Sequence, residues 1–374
     1  MKKNNQENAC RLGKVGGQAV LEGVMMKAGD RTVTSCRKPD GSVYVSDATF
    51  VSVRTKNKFL NLPIIRGVVN FVEMMKLSMK TMTAAAEAMG LDEMDEESKF
   101  ERWLNKHFGA KLVNVIMVIS VILGVLLSLL LFFGLPIWIS QLLNTFVFQG
   151  ALGVWTAVTE GVLKVIIFLL YLWLVSLMPD IKRTFMYHGA EHKSIACFEA
   201  GDELTPENAK KHSRFHPRCG TSFMFLTILI GIFAGFFIKI LIPNLTDLIY
   251  LLIRLAILPL LMGLGYEVIR LAGRYDNVIT RIMSMPGIWA QRLTTKEPTE
   301  DMLEIAIISL KCALRDDFPE FREFYESRAW EPKITEPMES AEPLTEAPTP
   351  SSDRVEEMVE DIPAFEVTPK EEQI

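Results

Sequence analysis

Apolar residues fill four stretches of the chain so completely that no polar face survives in them. Residues 112–133, LVNVIMVISVILGVLLSLLLFF, contain no formal charge. As a helix rising about 1.5 Å per residue they cover a hydrocarbon core of about 30 Å. Residues 161–178 carry only Lys164, and 221–243 and 248–267 complete the set. The last two predict a helical hairpin, because only Asn244, Leu245, Thr246 and Asp247 separate them. Elsewhere the pattern is periodic. Val68, Phe71, Val72, Met75, Met79 and Met82 recur at spacings of three and four, predicting a helix over 64–89 whose stripe faces either a core or a bilayer surface. A second helix is signalled at 299–314, with Thr299 as its cap, Glu300 and Asp301 in its first turn, and Leu303, Ile307, Leu310 and Leu314 on one face. The stretch RTVTSCRKPDGSVYV places β-favouring runs on either side of Pro39, Asp40 and Gly41 and predicts a hairpin.

Composition agrees with a membrane class: of 374 residues 49% are hydrophobic, and mean hydropathy is +0.22. Charge then orients the spans. Lys99, Arg102, Lys106 and Lys111 precede the first span, and the 134–160 stretch has no Lys or Arg. The 179–220 loop has seven, and Arg270, Arg274 and Arg281 follow the fourth span. The bias places both termini and the 179–220 loop in the cytoplasm of a multi-pass cell-membrane protein. The polar opening of the chain predicts no cleavable signal peptide.

The fold class expected is therefore a mainly α-helical polytopic membrane protein with four transmembrane helices and a small β-containing cytoplasmic N-terminal unit. The expected organisation is a Gly-rich and hairpin unit over 1–60, an amphipathic segment over 61–111, a membrane domain over 112–268, a helical segment over 269–330 and a tail over 331–374. That tail holds 13 acidic and 3 basic residues with seven prolines, so its composition predicts disorder. Basic residues elsewhere are scattered, and no nucleic-acid module is indicated. So few spans leave room for a homodimer. Lys164, Lys239 and Arg254 fall near the outer ends of their spans, where long cationic side chains snorkel to head groups. Glu267 has Arg270 at i+3. The Gly-rich GGQAVLEGVMMK lacks the order and the lysine of a P-loop, and close backbone packing is expected of it.

Chemistry concentrates in the 179–220 loop. Four of the chain's five histidines, His188, His192, His212 and His216, fall within 29 residues. Pro179 and Asp180 suit a first helical turn and Gly201 an end, so 180–200 reads as a helix. His188 and His192 then differ by about 40° and lie one turn apart, close enough to share a metal ion. Glu191 lies about 60° to the other side of His188, completing the H-x-x-E-H arrangement in which two histidines hold zinc and the glutamate acts as base. Further ligands stand in KKHSRFHPRCG: His216 or Cys219 as the third, with His212 in reserve. Glu199 lies about 10 Å along the axis from His192, too far for the same ion. Cys197, about 180° from His188, reads as a packed thiol. A cytoplasmic setting argues against disulfides. Without a metal these histidines would meet lipid phosphates, and a metal with four protein ligands would only pin the loop.

The stretches GGQAVLEGVMM, YHGAEHKSIACFEAG, HPRCGTSF, GYEVIRLAGR and RLTTKEP resemble the bacterial YqhQ family across roughly residues 12–315. The resemblance implies an integral membrane protein with a metal and supplies no substrate or reaction. The residues themselves predict a metal-dependent hydrolase using zinc or another divalent transition metal. Its substrate would be a lipid head group or membrane peptide at the cytoplasmic face. A metal-stapled assembly protein is the alternative, and a transporter the third.

Overall fold

The computed structural model describes residue 11 and residues 13–90, 110–243, 245–274 and 278–318. The acidic tail and the cations Lys99, Arg102 and Lys106 lie outside them. Four strands, β1 Val15–Val20, β2 Gly23–Ala28, β3 Arg31–Arg37 and β4 Val43–Thr49, form an antiparallel meander in chain order. The helices are α1 Ile65–Ala88, α2 Ala110–Leu129, α3 Leu135–Phe146, α4 Thr156–Val175, α5 Pro179–Ala200, α6 Pro206–Lys211, α7 Gly220–Leu241, α8 Asp247–Ala256, α9 Leu258–Arg274, α10 Val278–Thr294 and α11 Glu300–Ala313.

The hairpin about Pro39, Asp40 and Gly41 joins β3 to β4. Gly41 takes φ +87°, and Asp40 Oδ1 accepts from the Ser42 N–H at 2.9 Å. The Gly-rich stretch is itself a hairpin, β1 and β2, which period-two reading misses because three of its positions are glycine. Alternation sends Val15, Val24, Met26, Val33, Val43 and Val45 to one face, where they join Tyr187, Ile195 and Phe198 of α5 and Leu303, Ile305 and Leu310 of α11 in the largest core. Each fully buried Leu or Ile of α11 contributes about 1.5–3 kcal/mol relative to exposure. Ser309 Oγ lies 2.8 Å from Val33 O, tying α11 to the sheet. The opposite face, with Val20, Met25 and Cys36, packs on Leu77 and Ala85 of α1.

Among the described residues, three helical runs are long and apolar enough to cross a membrane: Ile119–Phe146, Gly153–Val175 and Gly220–Leu241. α8 and α9 to Leu271 make a fourth if their 48° bend is taken as one broken span. Hydropathy ends the first span at 133, yet the helix passes through a π segment, Leu130–Gly134, and continues as α3 to Phe146. Pro136 falls in the first turn of α3, where its missing N–H costs little, so part of the expected 134–160 loop is helical.

The charges of this bundle are arranged differently from the snorkelling expectation. Lys164 is 7% and Arg254 5% exposed, both inside the bundle. Arg254 pairs with Glu160 of α4, 1% exposed, and reaches Gly231 O at 3.4 Å. Lys164 Nζ stands 4.3 Å from the Phe133 ring centre, and Lys239 Nζ donates to Thr156 Oγ1 at 2.6 Å. Gly235 admits this cluster, since a Cβ there would lie 2.6 Å from the Tyr250 hydroxyl. Glu267 pairs with Arg66 of α1, with contacts of 2.6 and 2.5 Å, rather than chiefly with Arg270 as spacing suggested.

Candidate metal centre

Three elements meet at the histidines. α5 runs from Pro179, with Asp180 in its first turn, to Gly201, whose φ of +83° ends it. α7 begins at Gly220 with Cys219 as its N-cap residue, and α10 ends at Thr294. Gly189 lets the chain after α10 lie against α5, because a Cβ there would collide with Lys296 O; the Lys296 N–H meanwhile donates to Phe185 O at 2.8 Å. A Gly189→Ala substitution is expected to destabilise the fold by about 1–3 kcal/mol through this overpacking. Thermal unfolding checks this effect.

His188 Nε2 lies 3.2 Å from Cys219 Sγ, and one potential ligand atom from each of His188, His192 and Cys219 falls within 4.8 Å of the others. Both imidazoles are fixed through their other nitrogen, His188 Nδ1 at 2.8 Å from Thr294 O and His192 Nδ1 at 2.6 Å from Arg214 O. Donation to a backbone carbonyl fixes Nδ1 as the donor, so a deprotonated Nε2 would present its lone pair toward the cluster, the usual orientation of metal-ligating histidines. The donor set of two imidazoles and one thiol suits zinc.

Electrostatics match the grouping. Burial by itself would raise the Cys219 thiol, but His188 and His192 outweigh it and hold the thiol well below its ordinary range. Burial would lower His188, whereas Cys219 and Glu191 push it up to about 9. A metal cation held there would stand in place of the His188 proton opposite the thiolate. Burial raises the Glu191 carboxyl against the pull of His192 and His188.

Glu191 is 5% exposed, and its Oε2 has no hydrogen-bond partner among the described residues and lies 4.0 Å from His188 Nε2. Gly17 of β1 makes room for it: a Cβ at 17 would come within 3.0 Å of Glu191 Cγ. The other predicted residues are placed differently. His216 stacks near His192, ring centres 5.6 Å apart, but its Nε2 faces Glu199 at 3.5 Å, and Glu199 also accepts from Arg218 and from the Gly13 N–H at 2.9 Å. His212 lies outside the group, its Nε2 2.8 Å from Asp202 Oδ2, because α6 ends at Lys211 and the chain turns away there. Cys197 is buried with Sγ 3.4 Å from Glu203 O.

Gln291, fully buried on α10, had no signal in the motifs around the histidines. Its Oε1 accepts from the His216 N–H at 2.8 Å and its Nε2 donates to His216 O at 2.7 Å, splinting the backbone that leads to Cys219. Thr294 and Arg214 contribute only carbonyls, for which no side-chain pattern exists.

A family described as "Protein of unknown function (DUF1385)" matches residues 62–316. The chain is also 35% identical over 307 residues to "Uncharacterized protein YqhQ" of Bacillus subtilis (strain 168), covering 80% of this chain and 92% of that protein. No solved structure matches the chain.

Proposed function

The chain belongs to the DUF1385 family, that of YqhQ, and on that footing we propose a multi-pass cell-membrane hydrolase whose zinc centre lies at the cytoplasmic face. The observation that carries the reading is the conjunction of the His188, His192 and Cys219 donors with a buried Glu191 carboxylate beside them, whose Oε2 makes no hydrogen bond among the described residues. When bound, zinc supplies Lewis acidity toward a carbonyl or phosphoryl oxygen and acidifies water. His188, His192 and Cys219 hold the ion, and the Thr294 and Arg214 carbonyls orient the two imidazoles. Glu191 accepts the proton of the attacking water and returns it to the leaving group. Burial raises its proton affinity above that of an ordinary carboxylate.

Three or four apolar helices support membrane residence, and the distribution of Lys and Arg supports cytoplasmic termini. Because Cys219 caps a span, a substrate attached to the bilayer, either a lipid head group or a peptide bond near the surface, meets the centre without leaving the membrane. The test is hydrolysis by the vesicle-reconstituted protein of labelled phospholipids and of a membrane-anchored peptide. Activity abolished by a chelator and restored by zinc alone is expected. Activity indifferent to both treatments would overturn the metal reading.

A structural staple is the second reading, favoured by the loop closure that the cluster performs between α5 and α7. In that case His192→Ala opens the 201–219 segment to trypsin, and Glu191→Gln changes neither metal content nor any activity.

A further inference from the structure

Among the described residues, nothing covers one apolar arc of α1. The helix packs the sheet and α9 with Gly67, Glu73, Leu77, Thr81, Ala84 and Ala85. Val72, Met75 and Met79 are 47%, 50% and 68% exposed. At 100° per residue these three occupy about 60° of arc, centred roughly 160° from the packed face. Lys76 and Lys80 flank that arc on one side, within about 80° of Val72. Half of the hydrophobic stripe read from sequence, Val72, Met75 and Met79, therefore points outward, whereas Phe71 and Met82 of the same stripe pack inward.

The beginning of α1 says what lies against this stripe. Gly67 abuts α9, where a Cβ at 67 would lie 2.9 Å from Gly263 Cα and 2.7 Å from Tyr266 Cβ. Gly263 stands about 12 Å along the helix before Leu271, the end of that apolar run. Phe71 meets Phe223 of the first turn of α7, ring centres 6.1 Å apart. α1 thus starts alongside two spans and runs outward from them, and its entry is enforced: Ile64 holds φ +70°, a conformation costing about 1–3 kcal/mol for such a residue, with its N–H donating to Glu267 Oε1 at 3.3 Å.

We propose that this face is a bilayer-interface surface. Val72, Met75 and Met79 enter the head-group and acyl boundary of the bilayer that α7 and α9 cross, while Lys76 and Lys80 reach anionic head groups. The proposal rests on the reading of those helices as spans. Continuity with the spans and the cationic flank select lipid over a protein partner as the occupant. α1 then sets the height of the sheet, and of the histidine centre packed on it, above the membrane.

Spin labels test it in the full-length zinc-loaded protein, reconstituted in vesicles of phosphatidylcholine and phosphatidylglycerol. Cysteines are introduced singly at Val72, Met75 and Met79, at Leu126 on an exposed face of the first span and at Glu87 at the polar end of α1. Cys10→Ser serves as background, and Cys36, Cys197, Cys219 and Cys312 are buried. Collision with oxygen is compared with collision with a water-soluble nickel complex. The proposal expects the oxygen-to-nickel ratio at 72, 75 and 79 to exceed that at 87 several-fold and to approach that at 126. Ratios at 72, 75 and 79 equal to that at 87, with 126 in lipid, would overturn the interface while leaving the spans intact. Protection of 75 and 79 from both reagents would overturn it in favour of a second copy or another protein. A nickel-accessible label at 126 would overturn the membrane reading itself, and the interface with it.

Discussion

If the proposed hydrolase reading holds, Glu191→Gln is expected to leave the zinc content of the purified protein unchanged and to lower chelator-sensitive hydrolysis by about 10²–10⁴-fold, the contribution typical of a positioned general base. That loss corresponds to about 3–5 kcal/mol of transition-state stabilisation. The substitution is nearly isosteric, so the space that Gly17 leaves for the side chain stays filled and the fold is kept. Only proton acceptance is removed. Loss of the metal in this variant would instead make Glu191 a ligand, and retention of both metal and full activity would leave the staple reading in possession of the site. The measurement is metal content and turnover on one preparation of each protein.

Arg254→Ala costs the fold about 3–5 kcal/mol, because it strands the Glu160 carboxylate, 1% exposed, in the bundle interior. Against a total stability on the order of 5–15 kcal/mol, this is enough to reduce the yield of folded protein. Replacing both members by apolar residues, Glu160→Leu with Arg254→Met, recovers most of the loss, since neither charge then has to leave water. Thermal unfolding in detergent reads both variants. An Arg254→Ala protein as stable as the parent would mean that the side chain reaches solvent, as snorkelling requires.

How much of this was legible in the sequence differs from element to element. The long apolar helices were plain because an unbroken apolar run needs no partner to reveal itself: length and lack of charge suffice. α5 and α11 were equally readable, since Pro179, Gly201, Thr299 and the Leu303 face are local signals. The α1 stripe was visible but ambiguous, because periodicity reports an apolar face and not what lies against it. Glu160 escaped because it precedes the apolar window by one residue, and its partner Arg254 is 94 positions away. At the centre, His188 and His192 followed from helical spacing, and Cys219 was one of two alternatives. His212 read as a reserve ligand only because i,i+4 spacing presumes a helix, and that helix stops at Lys211. Gln291 and the carbonyls of Thr294 and Arg214 depend on the docking of α10, which no local pattern encodes.

The central claim is that His188, His192 and Cys219 hold one ion, and elemental mass spectrometry of the detergent-purified protein tests it most directly. The comparison is a His188→Ala, His192→Ala double variant shown to be folded. About one zinc or other transition-metal ion per chain, absent from the variant, is the expected result for a three-donor protein site. A folded parent protein that contains no metal and binds none when zinc is added would contradict it.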